Sequence, residues 1–265
     1  MTVEGAEPAL LGPQRVLICL LGDFRVLKAG CEVPMRSAGK TAMLLTLLAL
    51  GEGHRVSRQV LLGALWPDSE EARGSHALSS MLHGLHESLG DALDGAPPVL
   101  NRTGACELNV QAGVGVDTAH FDGLVRTAEA HLRAGNAHAA EIAFAAAVEV
   151  YRGDVYACDD LRALVERERL RALHLSLLSR MADQHFEQHE YVEALRYAGR
   201  LLAADPCRED AHRLVMRCHV RMGERAQGLR QFRTCEQILD AEYGARPEPL
   251  TEALFERIRS DPDGV

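Results

Sequence analysis

The chain has 265 residues, 47% of them hydrophobic, with 29 Lys and Arg against 38 Asp and Glu for a net charge of −9. Its length allows one large domain or two of roughly 100–200 residues each, and its apolar content excludes a disordered chain. The acidic balance excludes nucleic-acid binding through bulk charge, so any such binding needs a local basic patch; an aromatic content of 5% excludes a base-stacking platform.

In chain order, Val16–Leu21 is a short apolar run, Gly22-Asp23 a turn, Phe24–Lys28 an alternating strand, Ala29-Gly30 a second turn and Cys31–Pro34 a return. This pattern predicts a small antiparallel sheet. A helix over about Ser37–Leu50 follows, stopped by Gly51-Glu52-Gly53. Ser57 caps a second helix that ends at Trp66-Pro67. A third covers about Glu70–Leu89, with Leu78, Leu82, Leu85 and Leu89 as its core stripe and Gly90 as its C-terminal cap. After Pro97-Pro98, residues 99–110 read as a hairpin with its turn at Asn101–Gly104. Small sheet, three helices, then hairpin is the element order of a winged helix, with the third helix for recognition and the hairpin as wing.

Gln111–Gly115 reads as a connector, and beyond it the chain is almost purely helical. His189–Arg196 lines up with Gly223–Arg230 at an offset of 34 residues, the tetratricopeptide period. The fold class is therefore mostly α: a winged helix-turn-helix over 15–112 and a tetratricopeptide-like repeat domain over 116–261, after a flexible tail at 1–14.

On a helical wheel with Leu78 at the centre of the buried stripe, Arg73, His76, Ser80, His83 and Glu87 fall on the opposite face. In a winged helix that face enters the major groove, where Arg can take guanine as a bidentate pair and Ser or His can reach base edges. Arg102 and Thr103 sit at the wing tip, where a cation enters the minor groove or meets a phosphate. Arg36 and Lys40 flank the first helix, and Arg55 and Arg58 open the second. Each of these alone also reads as a solvated charge; together with Arg73 and Arg102 they form the local patch that the net charge conceals. Trp66, the sole tryptophan, reads as core packing beside the recognition helix.

Neither His76, His83 and His86 nor His185 and His189 stand in an HExxH pattern or beside a cysteine pair, so no metal is expected. Walker, GxGxxG and GxSxG motifs do not occur, so neither a cofactor nor catalysis is expected. The longest apolar run, Ala42–Leu50, falls short of the ~20 residues of a spanning helix, and the acidic start with Glu4 and Glu7 is not a signal peptide. Seven cysteines without CxxC spacing suit a reducing cytoplasm.

Several runs resemble the SARP-type bacterial transcriptional activator family, an OmpR-like winged helix followed by a bacterial transcriptional activator domain. They are Val116-Asp117 with Phe121 and Leu124, Ala147–Gly153, Asp205–Arg213, Leu229–Phe232 with Cys235, and Glu242–Pro247. Leu65-Trp66-Pro67 and Leu85 through Leu89-Gly90 are similar to its winged helix. The resemblance spans about residues 15–260. It implies a DNA-binding activator that binds promoter repeats as a dimer and recruits RNA polymerase, with double-stranded DNA, the polymerase and a second copy as partners. The family's arginine-rich recognition pattern, S-R-L-R-R-A-L-G, is replaced here by His83-Gly84-Leu85-His86-Glu87-Ser88-Leu89-Gly90, and Ala105-Cys106 stand where the wing usually carries Gly-Tyr. With residues 1–112 carrying nine basic and twelve acidic residues, this departure leaves a second reading open: a protein-interaction module whose winged helix no longer binds DNA.

Overall fold

The apolar run at the N-terminus forms β1 (Val16–Cys19), buried at every position, as a strand covered on both faces is. The structure is a computed structural model that describes residues 14–37, 39–155, 161–261 and 264. Apart from Gln14, the expected tail over 1–14 lies outside the described residues. Strand β1 pairs antiparallel with β2 (Arg25–Lys28), which pairs antiparallel with β3 (Cys31–Glu32). Three helices follow: α1 (Lys40–Leu50), α2 (Arg58–Leu65) and α3 (Glu71–Leu89). Strand β4 (Arg55–Ser57) precedes α2 and joins the hairpin β5 (Val99–Arg102) and β6 (Ala105–Leu108) in a second sheet of order β4-β6-β5.

Two expectations need correction, and a third holds in position only. The stretch 111–115 is no mere connector. It holds the start of β7 (Val114–Val116), which pairs parallel with β1 and completes a first sheet of order β3-β2-β1-β7. Gly90 stands at the C-cap of α3, its N–H donating to the His86 carbonyl, but it keeps helical angles (φ −64°) and leads into a 3-10 turn; the left-handed residues are Asp94 (φ 55°) and Gly95 (φ 81°). Leu82 is only half-buried, whereas Leu78, Leu85 and Leu89 are buried. At about 100° per residue, Leu82 stands at the margin of that stripe.

The helical part begins at α4 (Asp117–Arg133), whose first residue is fully enclosed. The Asp117 carboxylate accepts hydrogen bonds from the backbone N–H of Leu20 (2.9 Å to either oxygen) and of Leu21 (2.9 Å). It thereby terminates β1 on the N-terminus of α4, an end where negative charge is favoured. Helix α5 (Ala137–Val150) packs against α4 and leads into Tyr151-Arg152-Gly153-Asp154. That loop returns to the end of β1: Gly22 N–H donates to the Asp154 carbonyl (3.1 Å) and Leu21 bridges Val155. A Cβ on Gly153 would lie 3.2 Å from the Gly22 Cα, so the close approach requires glycine there.

The described chain divides into two compact units between Arg171 and Ala172, within the long helix α6 (Leu161–Glu187). The second unit adds α7 (Tyr191–Ala204), α8 (Glu209–Arg221), α9 (Arg225–Tyr243) and α10 (Pro249–Ser260). The 34-residue period is visible in atomic detail. The backbone N–H of Glu190 donates to the His185 carbonyl (2.9 Å), with left-handed His189 (φ 64°) between them. Glu224 repeats this on His219 (2.7 Å) around Gly223 (φ 77°). Both are helix C-terminal closures that satisfy orphan carbonyls. The same pairs are joined again through side chains, His185 Nδ1 to Glu190 (2.6 Å) and His219 Nδ1 to Glu224 (2.8 Å).

The run Asp205–Arg213 fastens α8 to its neighbours. Glu209 accepts from the Glu248 N–H (2.8 Å) and the Thr251 hydroxyl (2.6 Å), and so caps α10 from a distance. His212, buried and kept neutral by that burial, donates from Nε2 to the Pro206 carbonyl (2.9 Å) and accepts from Gln231 at Nδ1 (2.7 Å). Met216, Phe232 and Ile258 form the core beneath, with Phe255 stacked on Phe232 at 4.2 Å.

Two predictions follow from these fasteners. Burial outweighs the backbone hydrogen bonds and raises Asp117 to about 6, from an unfolded value of 3.8. Its contribution to stability is then fully present below about pH 4 and lost as the pH rises through 6. Urea denaturation across that range should show the loss in the wild type, and Asp117→Asn should lack it. Glu209→Ala should cost ~1–2 kcal/mol, the worth of a helix cap, and speed amide exchange in the first turn of α10.

Candidate nucleic-acid interface

The helix-turn-helix is built by local sequence. The Ser57 hydroxyl accepts from the Val60 N–H (3.3 Å) and starts α2, as its position in the sequence predicts. Leu61 and Leu65 are buried, and the chain turns through Trp66–Glu70 into α3. At the crossing, a Cβ on Gly74 would meet the Leu62 side chain at 3.3 Å, so glycine lets the two helices approach. With Leu78, Leu85 and Leu89 buried, the opposite face of α3 is open: Arg73, His76, Ser80 and His83 are all exposed.

Acidic side chains accompany the charged members of that face. Arg73 lies 3.6 Å from Glu70, and His83 Nε2 lies 3.3 Å from Glu87. At the wing, Arg102 and Thr103 are exposed beside left-handed Gly104 (φ 76°), and Arg102 lies 4.0 Å from Glu107. His86 turns away from this face, with Nε2 3.0 Å from the Gly95 carbonyl.

The remaining cations separate into two kinds. Arg36 is exposed ahead of α1, and Arg55 is exposed on β4, not at the opening of α2 as its sequence position suggests. That strand assignment arises because Arg55 pairs with Glu107 in the ladder to β6. Lys40 and Arg58 already have partners. Lys40 Nζ sits 4.9 Å over the Trp66 ring, a cation–π contact, and Trp66 is half-buried, not core. Arg58 donates from Nη2 to the Ser75 carbonyl (3.1 Å) and hydroxyl (2.8 Å). Neither the Lys40–Trp66 contact nor the Arg58–Ser75 contact is foreshadowed by spacing, since the residues lie 26 and 17 apart. A groove of about 700 Å³ runs here between α2, the start of α3 and the wing tip, lined among others by Ser57, Trp66, Glu70, Glu71 and Gly104.

Across the two compact units, the described residues hold a small sheet, a helix-turn-helix with a wing, and helical pairs with a 34-residue repeat. The family model described as the bacterial transcriptional activator domain matches residues 116–259. The chain belongs to that family, as its motifs imply. Its structure is similar to that of Mycobacterium tuberculosis EmbR in complex with a low-affinity phosphopeptide, at a TM-score of 0.69 and 22% identity. The match covers 93% of this chain and 65% of EmbR, so this chain spans about two thirds of that one. A Plasmodium falciparum FK506-binding protein's C-terminal TPR-containing domain matches at a TM-score of 0.40 and 11% identity, over 56% of this chain and 91% of that one. No curated protein matches the sequence. No described helix is long and apolar enough to cross a membrane.

Proposed function

We propose that residues 15–112 bind double-stranded DNA. Helix α3 enters the major groove with Arg73, His76, Ser80 and His83, and Arg102 and Thr103 at the wing tip reach the adjacent minor groove or backbone. Arg36, Lys40 and Arg55 supply phosphate contacts around them. Residues 116–261 then carry dimerisation and contact with RNA polymerase, and the promoter is activated. The observation that carries this reading is the α3 face itself: its leucine stripe is buried in the core, and its opposite side presents Arg73, His76, Ser80 and His83, all exposed, beside an exposed wing tip.

One observation favours the second reading, a protein-interaction module. Arg73, His83 and Arg102 each stand beside a carboxylate that DNA would have to displace or repel. Sequencing genomic fragments captured by the purified chain at low and moderate salt separates the two. The DNA reading expects a few promoter fragments sharing a repeated motif, fewer as salt rises. Capture of no fragment at either salt, together with a defined protein partner bound by the repeat surface, would establish the alternative. On a captured duplex, Arg102→Ala should weaken binding ~10-fold and reduce the salt slope by about 1, as loss of a phosphate contact does. Arg73→Ala should weaken it to a similar degree if it reads a base, with the loss confined to the cognate sequence.

A further inference from the structure

Arg58 belongs to the basic patch by sequence, yet its side chain points inward to neighbouring elements. Nη2 donates to the Ser75 carbonyl (3.1 Å), the Ser75 hydroxyl (2.8 Å) and the Ser79 hydroxyl (3.4 Å), all on α3. Nη1 donates to the Asn101 side-chain oxygen (3.5 Å) on β5. Its backbone N–H donates to the carbonyl of Gly104 at the wing tip (2.9 Å). The half-buried side chain at the first position of α2 therefore joins the recognition helix to one side of the wing turn, while the backbone N–H of the same residue holds the other side. Ser79 tightens the joint by donating its hydroxyl to the Ser75 carbonyl (2.9 Å).

A planar guanidinium suits this task. It offers five donors in a fixed fork, so it can set a distance and an angle between two elements, which a single ammonium cannot. The elements it joins are those that would read DNA from two grooves. Their outward residues, Arg73 to His83 on one and Arg102 and Thr103 on the other, engage one duplex only if their separation is held to a fraction of an ångström.

We infer that Arg58 is a positioning residue, which latches α3 to the wing so that both meet DNA in register, and that it does not contact phosphate. This rests on the DNA-binding reading above. Base-specific contacts depend on the latch; the general attraction of the backbone does not.

The test uses the full chain and two probes, a duplex selected from a randomised pool by the wild type and a scrambled duplex of equal length. Arg58→Met should weaken the selected duplex ~10-fold, the order expected for losing hydrogen bonds to a charged group. The scrambled duplex and the slope of affinity against salt should stay unchanged, so the specificity ratio collapses. Asn101→Ala, on the exposed wing and harmless to folding, should reproduce part of that loss and combine non-additively with Arg58→Met. In the free protein, amide exchange over residues 101–104 should speed up in both variants. Equal weakening of both duplexes with a salt slope lower by about 1 would show a phosphate contact and overturn the inference. Unchanged wing exchange in Arg58→Met would overturn it without reference to DNA. Absence of binding by the wild type to any duplex, with wing exchange still dependent on Arg58, would instead remove the DNA reading and leave only a structural latch.

Discussion

The N-terminal unit depends on a buried carboxylate at the end of a strand. Asp117 takes the N–H groups of Leu20 and Leu21, which β1 has no further strand to satisfy. An unpaired buried backbone donor is costly, and a buried carboxylate without donors costs more, so each group makes the other tolerable. Placing the acid at the first turn of α4 sets where the helical part starts relative to the sheet. The loop after α5 then has a fixed edge to meet, and it docks at Leu21 and Gly22 through Asp154 and Val155. Tyr151 closes the loop by donating its hydroxyl to Asp154 (2.9 Å), and Arg167 pairs with the same carboxylate (3.0 Å).

This gives the family's motifs a physical meaning. Val116-Asp117, Tyr151–Gly153 and Asp205–Arg213 are fasteners: a strand terminator, a close-approach loop and a remote helix cap. They specify the architecture and leave the DNA-facing surface free to vary. The variation lies where the architecture permits it. In this chain Gly84, His86 and Glu87 stand where the family's pattern has arginines, without disturbing Leu78, Leu85 and Leu89. Any sequence-specific binding then depends on a small number of contacts held in good register, and less on bulk attraction to phosphate.

What the sequence made legible was local. Ser57 announced its cap, the α3 leucines announced their face, and the 34-residue offset announced the repeat because each unit spends the same closure at the same position. What stayed hidden was pairing between distant segments. Strand β7 is three residues long and gains its identity only from β1, about 98 residues earlier in Val16↔Val114. Arg55 looked like a helix opener because its ladder partner, Glu107, lies beyond two helices. Gly90 ends α3 as its position suggests, yet not in the left-handed conformation that usually selects glycine. Here the missing Cβ makes room for the His86 ring, which an added Cβ would approach to 2.4 Å. At the candidate interface, exposure was predictable from the wheel. The carboxylates beside Arg73 and His83 were within a helical turn, and the partner of Arg58 was not.

The central claim is that the outward face of α3 and the wing tip meet DNA together. Amide hydrogen exchange on the full chain, with and without a captured duplex, tests it most directly. Protection should concentrate around the outward positions 73–83 and the wing turn 101–104, with the helical repeats unaffected by the duplex itself. Protection confined to the repeats, or spread evenly without a maximum at α3 and the wing, would contradict it.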